Sequence, residues 1–292
     1  MSSLLNCFLI GNKLSIEKNQ FRDRKDLESV VIPDYIMYIG DGAFCGCTSL
    51  ESVVIPDDSV EVIGENAFWG CTSLKSIVIP DSVKRIEDHA FEGCTSLESV
   101  VIPDSVKRIE DHAFEGCTSL KSVVVGDAIK SIDPFTFHDC TALQHINLPD
   151  SVTEIWAGAF SGCTSLKSIV IPDSVKRIEY YAFHNCMSLE SIVIPDHVPI
   201  IGERAFEGCT TLKNIKFGQM VRYINRRAFV GCCSIENIEL PDCTWCIGDE
   251  AFMNCTNLQF IKASRIPYIG DNAFKGCLNL KSDIIINDIT QF

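Results

Sequence analysis

Phenylalanine recurs at positions 21, 44, 68, 91, 114, 137, 160, 183, 206, 229, 252 and 274, a step of 23 residues with one of 24 and one of 22. Other residues keep the same beat. Ile stands five residues before each Phe, from Ile16 to Ile269, and Leu six after it, from Leu27 to Leu280, with Ile235 the exception. From the second unit on, Cys stands three after, from Cys47 to Cys277. A fixed period of this length marks a chain built from copies of one small unit. A single copy cannot bury its own apolar face, whereas stacked copies can.

The unit reads Ile-Pro-Asp-Ser-Val-x-x-Ile-x-x-x-Ala-Phe-x-Gly-Cys-Thr-Ser-Leu-x-Ser-Val-Val. Pro80–Ile102 and Pro103–Val125 agree at 21 of 23 positions, differing at Glu98/Lys121 and Ile102/Val125, which points to a recent internal duplication. We read residues 1–15 as an N-terminal cap half-repeat carrying Leu5 to Ile10, 16–286 as about twelve units, and 287–292 as a tail. Asp283 falls on an inward position, so Ile284–Ile286 is expected to close the stack. Within a unit, Leu50-x-x-Val53-x-Ile55 alternates as a strand does, and its β-branched residues favour extended backbone. Pro56 ends it, and Val60-x-x-Ile63 forms a second short extended piece. Asn66–Gly70 reads as one helical or 3₁₀ turn, closed by the residue two after Phe, which is Gly, Asn or Asp in these units and so accepts positive φ. Coils should stack at about 4.8 Å, with the Phe rings in one file.

The pattern Leu-x-x-Val-x-Ile with an Ala-Phe-x-Gly-Cys segment resembles the leucine-rich repeat proteins, and most of all their BspA-like (Treponema-type) subclass. The resemblance covers nearly the whole chain. It implies an α/β repeat solenoid, a leucine-rich repeat arc with a parallel β-sheet on one face and short strand or helical turns on the other. It also implies a non-catalytic role in protein binding or adhesion, often on bacterial or protist surfaces.

Charge and composition narrow the function. Lys and Arg total 25 against 39 Asp and Glu, a net charge of −14, which argues against nucleic acid as a partner. No apolar run approaches the roughly 20 residues that span a bilayer. No basic residue precedes Lys13 and Asn6 interrupts the first apolar run, so no signal peptide is expected. The default location is cytoplasmic, with the cell surface reached only by an unconventional route. No phosphate loop, HExxH or GxSxG motif occurs, so no enzyme is expected. His89 and His112 hold equivalent positions in the duplicated units and should stack as a surface pair rather than a metal site.

Sixteen cysteines raise the question of disulfides, yet eleven belong to the repeat and should lie with parallel Cβ vectors as small buried thiols. Cys7, Cys45, Cys233, Cys243 and Cys246 stand outside that ladder. Cys243-Thr-Trp-Cys246 is a lone CxxC pair and carries the metal or redox alternative. The Asp after Pro forms another ladder, for example Asp81, Asp104 and Asp127. Those side chains are expected to accept N–H groups of their own turns, with calcium binding as the sharper alternative. No cofactor is expected.

The strand's outward positions carry the candidate binding face. One column is Ser-rich, running from Ser29 through Ser99 and Ser122 to Phe260 and Ser282. The next holds Val54, Val78, Val101 and Val124, then Asn147, then Val170 and Val193, and turns charged at Lys216, Glu239 and Lys262. An exposed apolar stripe of this kind marks an interaction site. The alternative is that Val stands there for its backbone preference alone. A third column alternates in sign from Glu51 through Lys75 and Glu98 to Lys121, predicting ion pairs between neighbouring coils. The leading reading is a non-enzymatic protein-binding scaffold, monomeric or weakly self-associating, whose partner is a protein of unknown identity. The rivals are a surface adhesin and a metal or redox protein using Cys243/Cys246.

Overall fold

A computed structural model describes residues 7–10, 13–265, 268–281 and 285–286 of the chain. The expected features at Leu5, Ser282, Asp283, Ile284 and 287–292 lie outside the described residues. The chain divides into two compact units, Met1–Ser151 and Val152–Phe292.

In the first unit, each coil contributes one strand to each of two ladders. One ladder runs Cys7–Ile10, Lys13–Ile16, Tyr38–Ile39, Val62–Ile63, Arg85–Ile86 and Arg108–Ile109. The other comprises Ser29–Val31, Ser52–Val54 and Ser76–Ile77, then Ser99–Ile102, Ser122–Val125 and His145–Asn147. All neighbours pair in parallel except Cys7–Ile10, which meets Lys13–Ile16 antiparallel. The register follows the repeat: Val100 faces Val123, and Val101 faces Val124. Between the ladders, Phe21, Phe44, Phe68, Phe91, Phe114 and Phe137 file inward, with neighbouring ring centroids 5.2 to 5.7 Å apart and near-parallel planes.

The second unit repeats the scheme. Glu154–Ile155, Arg177–Ile178, Ile200–Ile201, Tyr223–Ile224, Cys246–Ile247 and Tyr268–Ile269 form one parallel ladder. Ser191–Val193 pairs with Asn214–Lys216, and Asn237–Glu239, Phe260–Ala263 and Ile285–Ile286 form the other face. Phe160 to Phe274 stack with centroids 5.1 to 5.6 Å apart. Each unit is a parallel-strand β-solenoid.

The expected α/β character is corrected, because the described residues contain no helix. The segment around each Phe is a run of tight turns. Ala67 N–H donates to Gly64 C=O, Trp69 N–H to Asn66 C=O, and Cys71 N–H to Phe68 C=O, all three residues back. The alternate groups, Asn66, Phe68 and Gly70 N–H, donate to Asp88, Ala90 and Glu92 C=O in the next coil. Half the donors that a helix would use internally are thus spent along the stack. Positive φ at Asn66 (54°) and Gly70 (67°), each the third residue of such a turn, gives the type II form. The column two after Phe was expected to adopt positive φ. The column two before Phe does so as well, including Phe135, Tyr181, Arg204 and Arg227, residue types that carry no such signal.

Candidate binding face

The strand alternation that sends Val100 and Val123 inward sends Val101 and Val124 outward. In the first unit, Val54, Val78, Val101 and Val124 are all exposed, Val124 least at 49%. Val101 and Val124 are direct partners across the sheet, and Val31 faces Val54 in the same way. The second unit carries the rest of the predicted face. Val170, at 79%, and Val193 are exposed, and Val193 pairs with Lys216. Glu239 pairs with Lys262 in the sheet, and their side chains meet at 2.5 Å, which raises the Lys262 pKa. Phe260 is exposed beside Asn237, with the Lys281 ammonium 4.3 Å from its ring centroid.

The alternating charge column forms the expected ion pairs. Lys75 meets Glu51 at 2.8 Å and Lys121 meets Glu98 at 2.9 Å, a hydrogen bond that holds the Glu98 carboxyl below its usual range. All four side chains are exposed, so solvent screens each pair and neither contributes much to stability.

The cysteines do more than fill space. In the first unit Cys71 Sγ donates to Phe44 C=O at 3.2 Å, Cys94 to Phe68 and Cys117 to Phe91. In the second, Cys209 and Cys232 Sγ donate to Phe183 and Phe206 C=O at 3.1 Å. Burial pushes Cys47 up to about 11 and Cys117 and Cys209 up to about 12, so these thiols stay protonated and poorly nucleophilic. All cysteines from Cys45 to Cys277 are free. In the CxxC pair, Cys243 Sγ donates to Gln219 C=O at 3.0 Å, and burial raises the Cys246 pKa. Among the described residues no three His, Cys, Asp or Glu side chains gather as a metal site.

The Asp ladder differs from the expected pattern. Asp104 Oδ1 accepts the N–H of Asp127, and Asp196 Oδ1 that of Gln219, each at 2.8 Å. These two carboxylates therefore tie one coil to the next. His89 and His112 stack at 4.6 Å as expected, each with Nδ1 against a carboxylate, Glu92 and Glu115.

One exposed group escaped the sequence reading. In the second unit's other ladder, Ile200 faces Tyr223, Tyr223 faces Cys246, and Cys246 faces Tyr268. Ile200, Tyr223 and Tyr268 are exposed, as are nearby Tyr180 and Trp245. The signal was the residue just before the repeat's Ile, which holds Arg at 85, 108 and 177 and becomes apolar from Ile200 on. No helix among the described residues is long and apolar enough to cross a membrane.

No curated protein matches the chain. Solved structures do. A leucine-rich repeat protein from Bacteroides ovatus shares 30% identity over 94% of this chain and 84% of its own, with a TM-score of 0.62. A leucine rich cell surface protein from Faecalibacterium prausnitzii shares 29% identity over 96% and 95%, with a TM-score of 0.51. The T. pallidum leucine rich repeat protein shares 29% identity over 73% and 89%, with a TM-score of 0.57. The sequence profile of the BspA type leucine rich repeat region, a block of six copies, matches residues 14–95, 61–190 and 176–292. Together with the stacked Phe, Cys and Leu columns, that match over almost the whole length makes this chain a member of the BspA-type leucine-rich repeat family.

Proposed function

We propose that the chain is a non-enzymatic scaffold that binds a protein partner through its Ser/Val strand face. The observation that carries this reading is the exposure, at least 49% in each case, of Val54, Val78, Val101 and Val124 in the first unit and of Val170 and Val193 in the second. Isolated exposed apolar residues need no explanation, whereas valines repeated on successive coils of the first unit have the character of an interaction surface. In the second unit the column continues as Lys216, Glu239 and Lys262, with Phe260 beside it, so polar contacts there would complement apolar ones in the first. Affinity capture from the native cell tests this with the wild-type chain, Val101→Glu and Val124→Glu. A partner retained by the first and lost from both variants supports the face, and the same partner on all three baits removes it.

A second reading is a surface adhesin. It is favoured by the likeness to the F. prausnitzii cell surface protein over 96% of this chain. Protease treatment of intact cells distinguishes the two. Loss of the chain supports the adhesin, and full protection supports an internal scaffold.

A further inference from the structure

The first unit carries a notch in its turns, lined by none of the Ser/Val strand residues. Two repeat columns create it. In the column two before Phe, Gly42 lies between Asn19 and Asn66. In the column one after Phe, Cys45 lies between Arg22 and Trp69. Two coils further on, the same positions hold His89 with Glu92 and His112 with Glu115, and the imidazoles stack with no gap. The Asn19 carboxamide leans over Gly42 into the place a Cβ would take, so the opening lies over the short Cys45 side chain, between Arg22 and Trp69. Phe rings in these coils are 5.2 and 5.3 Å apart, so the backbones that carry Arg22 and Trp69 stand about 10 Å apart along the stack. Contact at about 3.5–4 Å on each side leaves room for one ring. Trp69 is 40% exposed, which offers part of its indole to an occupant, and Cys45 is buried at the floor.

Lys18, Arg22, Asp41 and Glu65 line the notch, two charges of each sign. Lys18 Nζ lies 3.5 Å from Asp41 Oδ2, and Arg22 Nε lies 3.6 Å from Asp23 Oδ2. Arg22 also donates to Asn19 Oδ1, and Asn66 Nδ2 donates to Glu65 Oε1 at 3.1 Å. An anionic ligand would meet Asp41 and Glu65, and a cationic one Lys18 and Arg22. The walls instead supply paired donors and acceptors without net charge, beside one aromatic ring. That set suits a neutral ring with an apolar side and a hydroxyl-bearing edge. We propose that the notch binds one pyranose ring of a neutral saccharide, its apolar side on the Trp69 indole and its hydroxyls on Asn19, Asp41 and Asn66. The source is either a free sugar or the terminal unit of a glycan.

Saturation-transfer NMR on the full chain tests this with the methyl glycosides of glucose, galactose, mannose and N-acetylglucosamine, each also presented at the end of a trisaccharide. The expected result is transfer to at least one probe, weakened at least tenfold in Trp69→Ala and in Cys45→Glu and unchanged in Val101→Glu. Cys45→Glu places in the second coil the residue type that the fourth and fifth carry, so it fills the notch without departing from the repeat. Binding of trisaccharides alone assigns the site to glycans, and binding of the simple glycosides assigns it to free sugars as well. Absence of transfer from every probe, or transfer that survives both notch variants, overturns the proposal. So does stronger competition at the notch by inorganic phosphate or spermine than by any sugar.

Discussion

At the scale of the residue, each core side chain is packed mainly by its own copies. Phe114 is fully buried, with Phe91 and Phe137 at 5.2 and 5.7 Å on either side. Phe114→Ala removes a ring that its neighbours cannot replace and is expected to cost about 3–5 kcal/mol. A urea titration checks this through a lowered midpoint at unchanged slope. Phe274 is only partly buried, with Phe252 at 5.6 Å, so Phe274→Ala should cost clearly less. The Phe file was legible because position and period alone determine it. The Cys71 bond to Phe44 C=O was not, since the acceptor sits 27 residues earlier and becomes a neighbour only after stacking. A thiol in this column looks like filler in one copy of the repeat, and its donor role emerges only between two. The Asp104 contact with the N–H of Asp127 was hidden for the same reason.

At the scale of the element, the strands followed from alternation, whereas the turn did not. A helical turn was a fair reading of Asn66–Gly70 as an isolated segment. What prevents it is the demand of the next coil, which takes the N–H groups of Asn66, Phe68 and Gly70. The price is backbone held at positive φ twice per coil. Gly70 isolates that cost, because a Cβ added there meets nothing within 4 Å. Gly70→Ala is therefore expected to destabilise by about 1–2 kcal/mol through conformation alone. Gly70→Asn should cost less, since Asn185 and Asn254 hold the same position with φ of 58° and 62°. Thermal melts of the two variants check the order, and equal loss in both would contradict it. The outward exposure of the valines was legible down to single residues, because the period of two within a strand decides which of them point outward. The exposed column of Ile200, Tyr223 and Tyr268 was passed over because its earlier copies are largely charged or small.

At the scale of the whole molecule, both units share one electrostatic liability. The ladder thiols Cys117 and Cys209 stay protonated when folded, held up to about 12 by burial, against 9.0 for an ordinary thiol. The unfolded chain releases those protons above about pH 9 and the folded chain keeps them. A pKa raised on folding leaves stability intact below pH 9 and drains it as pH rises from 9 towards 12. In reducing buffer the melting temperature should fall progressively above pH 9, less steeply in Cys117→Ala, and a flat profile to pH 11 would count against the buried ladder. The most direct measurement of inward filing by like side chains is alkylation of the native chain with iodoacetamide, mapped by peptide mass spectrometry. Cys233, Cys243 and Cys246, which are partly exposed, should be modified well before the buried Cys94, Cys117, Cys186 and Cys209. Modification of all seven at a common rate would contradict the stacked coils.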